Sequence, residues 1–430
     1  MVAVIEQNSA LNQCKHSSYV NKSGATEAFF YGVNLRSNFQ PIYSLSHRRP
    51  IGYEGLLRVK DANNHPMSPL DTFNSVQSEP HTIELDRLSR YLHVQNFIRQ
   101  SQDHNWLFLN VHPTIMMYGK NYGPYFGELL HDAGLEPSNV VVELLEESIE
   151  DKGLLNETIK YYRELGCLIA IDDFGTGDSN FDRVWQIKPD IVKLDKSIVR
   201  DMKENNVVRR MLPNLVSLIH ECGSLVLLEG IEHEEQALMA VDSGADFVQG
   251  FYLARPSENL HNDVTSDKLG KGGLNLSHLC AAYQSRVSNK EQSTNKVINT
   301  YSQPFHEVAE ALINAPSKVD TLIADFLALS GIERCYILDG KGYQVGSNYL
   351  PEEHAEVYPQ RFSILKDQCS ASWFRRPYFR RAMTQPDKVH ISRPYLSMTA
   401  GIVVITFSIM VTNHEGKPVV LCADIDWTDR

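Results

Sequence analysis

Glu54, Asn110, Glu143, the doublet Asp172-Asp173, Lys193, Glu229 and Gln249 all stand within, at or just beyond the ends of short apolar runs. Carboxylates and amides without His or Cys are hard oxygen donors, which suit Mg²⁺ or Mn²⁺ rather than zinc. The adjacent acids Asp172 and Asp173 offer ligands for two ions, with one ion bridging both and Glu229 completing the second. Paired metals about 3.5–4 Å apart generate a hydroxide and stabilise in-line displacement at phosphorus. Lys193 among so many acids either holds the attacking water and neutralises the phosphate, or balances buried carboxylates. Arg58, four residues after Glu54, either reaches a phosphate as a bidentate donor or lies solvated on the surface. A G-x-G turn is weak evidence alone. Following Asp172-Asp173 directly, as Gly175-Thr176-Gly177, it marks a loop able to carry metal ligands.

Residues so distant in sequence meet only if the fold delivers strand ends to one place. β-rich runs occur at 39–45 (FQPIYSL), 51–59 (IGYEGLLRV), 107–111 (LFLNV), 140–145 (VVVELL), 167–171 (CLIAI), 191–194 (IVKL), 224–228 (SLVLL) and 247–249 (FVQ). Helix-length amphipathic stretches are read between them, which predicts a parallel sheet with crossover helices. About eight such units make an α/β fold, a TIM-like (β/α)8 barrel, with every strand C-terminus on one rim. A lone Asp at a strand end is usually a helix cap. Glu54, Glu143 and Glu229, however, lie inside or against apolar runs, where a carboxylate needs a partner and several together need a cation.

The chain of 430 residues exceeds one ordinary domain, and its 42% apolar and 22% charged content is that of a globular protein. A net charge of −12 argues against a nucleic-acid surface. The longest apolar stretch, 401–411 (GIVVITFSIMV), is too short for a membrane span of about 20 residues. The N-terminus has no basic region of a secretory signal, and the 7 cysteines show no C-x-x-C spacing, so a cytoplasmic protein with reduced thiols is expected. The expected organisation is a flexible leader (1–24), the barrel (25–256), a linker (257–273) containing Gly270-Lys271-Gly272-Gly273, and a region (274–430) with a helical connector and a smaller α+β domain.

The ordered motifs resemble those of the EAL-domain cyclic-di-GMP phosphodiesterases over roughly residues 39–256. The name motif stands here as Glu54-Gly55-Leu56-Leu57-Arg58, with Gly for the usual Ala. Around it are Gln40-Pro41-Ile42, Glu84-Leu85-Asp86-Arg87, Asn110 in FLNVHP, Glu143-Leu144-Leu145-Glu146, DDFGTG at 172–177, Lys193-Leu194-Asp195, Glu229-Gly230-Ile231-Glu232 and Gln249-Gly250-Phe251. The resemblance implies binding of cyclic di-GMP and its hydrolysis to linear pGpG with two Mg²⁺ or Mn²⁺ ions. It implies Glu54, Asn110, Glu143 and Asp172 as ligands of the first metal, and Asp172, Asp173 and Glu229 of the second. Glu54, Lys193, Asp173 and Glu229 would carry catalysis. Gln40, Arg58, Asp195, Glu232 and Gln249 would contact substrate, Gln249 beside the water, and Glu146 would brace the loop after Asp173. Two departures stand out. Gly55 is expected to free the strand end beside Glu54. Asp178 occupies a loop position where the family commonly has an aromatic residue, in a loop tied to the metals and to a dimer contact.

Residues 373–382 (WFRRPYFRRA), 392–397 (SRPYLS) and the final strands resemble PAS/Cache-type sensor modules more loosely. That resemblance implies a regulatory domain; because the barrel already carries every catalytic residue type, residues 274–430 are expected to regulate it through a homodimer. Trp373, Arg376, Tyr378, Tyr395 and Asp424 either line a pocket for an unknown small ligand, or are core aromatics and solvated arginines.

Overall fold

The computed structural model describes residues 10–76, 78–101, 105–118, 125–145, 152–175, 181–260, 271–351 and 371–428. Eight strands close the barrel: β1 (Val33–Ser44), β2 (Arg49–Lys60), β3 (Trp106–Asn110), β4 (Val140–Leu145), β5 (Leu168–Phe174), β6 (Ile191–Leu194), β7 (Leu225–Leu228) and β8 (Phe247–Val248). The hydrogen-bonded order is β1-β8-β7-β6-β5-β4-β3-β2, and the β1–β2 pairing shuts the ring.

Strands β2 to β8 are parallel as expected, but β1 runs antiparallel to both neighbours. The cause is the connection. Only residues 45–48 join β1 to β2, whereas a parallel crossover needs a dozen or more. The reversal still delivers Gln40 to the rim, because Gln40 lies opposite Glu54 in register.

Strand alternation separates two apolar layers. Inside the barrel, Ile42, Phe108, Val141, Ala170, Ile191, Leu227 and Phe247 form one buried cluster, with Ile51 of β2 packed against it. Past the register shift that leaves Ile51 unpaired, Tyr53, Leu57 and Val59 of β2 instead join the larger core that includes the helices. The helix Glu79–Gln100 belongs to that layer, burying Leu85, Leu88 and Leu92 at helical spacing.

The expected flexible leader is different in its described part. Ala10–Ser17 is a helix whose Leu11 and Cys14 enter the barrel core. Ser18–Val20 then pairs with Thr26–Phe30, which adds to the edge of β1. About two helical turns with two buried apolar residues are too short to show periodicity.

Two compact units divide the chain, Met1–Arg286 and Val287–Arg430. The first unit therefore extends past the expected barrel end at 256. Ser257 exchanges backbone hydrogen bonds with Phe39 at 2.7 and 3.0 Å, and Leu260 and Leu279 are buried in the first core. The helix Lys271–Asn314 begins within the expected linker. In the second unit an antiparallel sheet has the order Gln344–Tyr349, Ile332–Asp339, Pro418–Asp426, Val403–Thr412 and His390–Ile391, with Tyr395–Leu396 also on Val403–Thr412. Phe305, Phe326 and Phe407 pack in its core, as expected of a smaller α+β domain. Among the described residues no helix is long and apolar enough to cross a membrane.

Candidate active site

Lys193 stands at the centre of the rim, only 1% exposed. Its Nζ lies 2.6 Å from Glu143 Oε1, 2.7 Å from Glu229 Oε1, 2.9 Å from Asp172 Oδ1 and 4.0 Å from Glu54 Oε1. The lysine comes from β6 and the acids from β2, β4, β5 and the end of β7, so closure of the barrel assembles the cluster. Burial alone would lower the lysine's pKa, but the surrounding carboxylates outweigh it and hold the ammonium charged, well above its ordinary range. Burial pushes the Glu143 carboxyl well up, with Lys193 opposing and Glu54 and Asp172 adding to the rise. Burial likewise raises Glu229 to about 8. One ammonium among these acids leaves surplus negative charge, the condition for a bound cation.

Adjacent residues of a regular strand point to opposite faces, yet Asp172 and Asp173 both serve this rim. A bulge explains it. The β5–β6 register runs from Ile171↔Val192 to Phe174↔Leu194, so β5 carries one extra residue. Asp173 takes up the bulge with φ +56°, a left-handed conformation that Asp tolerates better than most residues. Carboxylate oxygens of Asp172, Asp173 and Glu229 then lie within 4.8 Å of one another. Burial, with Asp172 and Asp195 adding like charge, raises the Asp173 carboxyl to about 6.

The donor set fits hard divalent cations. Glu143 Oε2 and Gln249 Oε1 are buried with no hydrogen-bond partner among the described residues, an arrangement that a cation or its water would satisfy. Glu54 is held in place by Gln249 Nε2, donating to Oε2 at 2.7 Å, and by Asn110 Nδ2, donating to Oε1 at 3.2 Å.

Other expected residues have different surroundings. Gln40 donates to the Ala254 carbonyl at 3.3 Å and so braces the segment leaving β8. Arg58 is half-buried and donates to the Leu57 carbonyl at 3.0 Å, without a carboxylate ion pair among the described residues. Asp195 caps the helix Lys196–Glu204, accepting from the Ser197 N–H at 2.7 Å. Glu232 is exposed, and its backbone N–H donates to Gln236 Oε1 at 2.8 Å. Glu146 and Asp178 lie outside the described residues.

Gly55 has a reason other than freedom. Its φ is not positive, and it sits in the regular β1–β2 ladder opposite Phe39. A Cβ there would lie 2.8 Å from His93 Cγ. The glycine makes room for a buried histidine, which the sequence reading did not single out. Its only signal was the missing methyl beside Glu54.

In the second unit Tyr378 and Asp424 are buried, 2% and 0% exposed. Asp424 is bound by Arg334 Nε at 2.7 Å and by Thr406 Oγ1 at 2.8 Å. The Arg376 guanidinium lies 5.2 Å from the Tyr395 ring centroid and 5.8 Å from that of Trp373. The carboxylate expected to face a ligand is thus engaged by the chain's own Arg334, another residue missed.

The EAL domain family model matches residues 27–256. The uncharacterised EAL-domain containing protein YkuI of Bacillus subtilis is 25% identical over 385 residues, 86% of this chain and 90% of that protein. The crystal structure of YkuI, in complex with substrate c-di-GMP and calcium, shares the fold with a TM-score of 0.76 at 23% identity, covering 92% of this chain and 96% of that one. The cyclic di-GMP phosphodiesterase RocR of Pseudomonas aeruginosa is 27% identical over 230 residues, 52% of this chain and 57% of that protein. With the matched segment spanning more than half of its residues, and with the acidic rim inside that segment, the chain belongs to the EAL-domain family.

Proposed function

We propose that the chain is a metal-dependent phosphodiesterase that hydrolyses cyclic di-GMP to linear pGpG. The observation that carries this reading is the convergence of Glu54, Glu143, Asp172 and Glu229 on Lys193, with Asp173 brought in by the β5 bulge. Support comes from RocR, named a cyclic di-GMP phosphodiesterase, and from YkuI, crystallised with c-di-GMP and calcium. Glu54, Asn110, Glu143 and Asp172 would hold one Mg²⁺ or Mn²⁺, and Asp172, Asp173 and Glu229 a second. When bound, such ions acidify a water and offset charge on the phosphate.

The chain's own groups do the remainder. Lys193 keeps carboxylates from four strands at contact distance and adds positive charge where the phosphate's negative charge grows. Gln249 and Asn110 fix the Glu54 carboxylate. Arg58 supplies a guanidinium for a ligand phosphate. Gln40 and Asp195 act through what they brace, the segment after β8 and the helix after β6, and exposed Glu232 offers an acceptor to the ligand. Residues 287–430 form a sensor-like regulatory unit acting through a homodimer.

A receptor that binds cyclic di-GMP without turnover is the second reading. It is favoured by the close pairing of Lys193 with acids of both metal sets, which competes with cations. Incubation with cyclic di-GMP and Mn²⁺ or Mg²⁺, with a chelator control, separates the two. Metal-dependent release of pGpG supports the enzyme, binding without pGpG supports the receptor, and absence of binding overturns both.

A further inference from the structure

His93 lies in the helix Glu79–Gln100, and its ring passes beneath the β1–β2 hairpin. Nδ1 is 2.9 Å from Ser37 Oγ on β1, and Nε2 is 3.2 Å from Ser89 Oγ one helical turn back. The ring meets Phe39 edge-on, at 6.3 Å between centroids and 70° between planes. Phe39 is the cross-strand partner of Gly55. The imidazole is therefore held by its own helix and by β1 while it fills the volume above Gly55. An added Cβ at 55 would lie 2.8 Å from His93 Cγ and 3.1 Å from both Cβ and Cδ2. The atoms nearest the clash include the root of a side chain anchored at both ring nitrogens, so relief requires the strand or the helix to move.

Strand alternation carries that displacement to the rim. Tyr53, Leu57 and Val59 share the parity of Gly55 and are buried in the layer that contains the helix. Glu54 and Arg58 have the opposite parity and face away from it. We propose that His93 and Gly55 are a matched pair that sets the depth of β2 beneath the rim, making His93 a positioning residue for Glu54 and Arg58. The proposal rests on the phosphodiesterase reading of that rim. It assigns the departure from the family motif at Gly55 to volume exchanged with residue 93.

The test uses the full chain as wild type, Gly55→Ala, His93→Ala and the double variant. Each is measured for pGpG release, for Mn²⁺ affinity by calorimetry, and for Tm. Gly55→Ala should lower kcat/KM by about tenfold or more, since small misplacements at a reacting centre are costly, and should weaken Mn²⁺ binding. The double variant should recover most of both losses, because the methyl occupies space the ring has left; that coupling is the expected signature. His93→Gln, which keeps a neutral donor and acceptor near Ser37, should retain more Mn²⁺ affinity than His93→Ala. Additive losses in the double variant, or a Gly55→Ala protein with wild-type kinetics, overturn the pairing. A lowered Tm in His93→Ala with unchanged kcat, KM and Mn²⁺ affinity overturns the positioning role. If Gly55→Ala does not fold, folding and Mn²⁺ binding of the double variant support the pair; a double variant that fails while His93→Ala folds refutes it. Wild-type protein that binds Mn²⁺ but releases no pGpG removes the enzymatic reading alone, and Mn²⁺ affinity still decides the pair.

Discussion

At Asp172, exchanging one carboxylate oxygen for an amide nitrogen separates charge from shape. Asp172→Asn should lower turnover at least about 100-fold, since it removes charge meant to balance divalent ions, while the circular-dichroism spectrum stays that of wild type. Near-normal turnover would sink the bridging role. Protonation acts on the same cluster. Asp173 is raised to about 6 and Glu229 to about 8, both chiefly by burial. A carboxyl whose folded pKa is raised favours the folded chain at low pH, and that contribution fades as pH climbs through the raised value. The metal-free protein should therefore lose Tm between about pH 5 and 8, and Mn²⁺ should restore more Tm at the upper end, where its ligands are deprotonated. Thermal melts with and without Mn²⁺ check both signs. Much of this cluster was legible because its chemistry is written in residue types at strand ends. His93 and Arg334 were not legible, since a single polar residue in a core helix or strand acquires meaning only from a partner far along the chain.

Among the elements, strand count, closure and the parallel run β2–β8 followed from repeated apolar runs, whereas the direction of β1 and the bulge in β5 did not. The reversal of β1 hangs on a four-residue connection, residues 45–48, and the bulge at Asp173 on a local backbone twist invisible to periodicity. In the second unit, strands Ile332–Asp339 and Pro418–Asp426 are tied through Arg334 and Asp424, whose side chains are 3% and 0% exposed. Removing one partner leaves a buried charge without its counter-ion, which costs about 3–5 kcal/mol. Arg334→Ala should destabilise this unit by that amount, seen as a shift of its transition in urea denaturation of the full chain. Replacing both partners by apolar residues of similar volume should cost less. Equal losses would show that the pair adds little beyond packing.

For the whole molecule, the two-domain plan was legible in the sequence, with the family match also ending at residue 256, but the packing that continues past it was not. A Ser/Asn/Gly-rich stretch reads as linker even where Ser257 and Leu260 are bonded and buried. A chain ending at Pro256 forfeits the Phe39–Ser257 hydrogen bonds and the burial of Leu260 and Leu279, so it should melt below a chain ending at Arg286. The longer truncation also tests regulation. A monomer with altered turnover, against a dimeric full-length protein, supports the proposed role of residues 287–430; an unchanged dimer with an unchanged rate would refute it.

The reversed β1 has a consequence for how such a barrel joins other chains. In an all-parallel barrel the polypeptide arrives at the floor and departs there after the last helix. Here β1 begins at the mouth and the segment leaving β8 runs beside it, with Phe39 stitched to Ser257 only eight residues after Gln249. The segments entering β1 and leaving β8 therefore meet beside Gln40, whose cross-strand partner is Glu54. Two hydrogen bonds and one strand separate either segment from Gln40, Glu54 and Gln249. Both flanks of the barrel thus share one point of attachment, the Phe39–Ser257 stitch, next to the strand that carries Gln40.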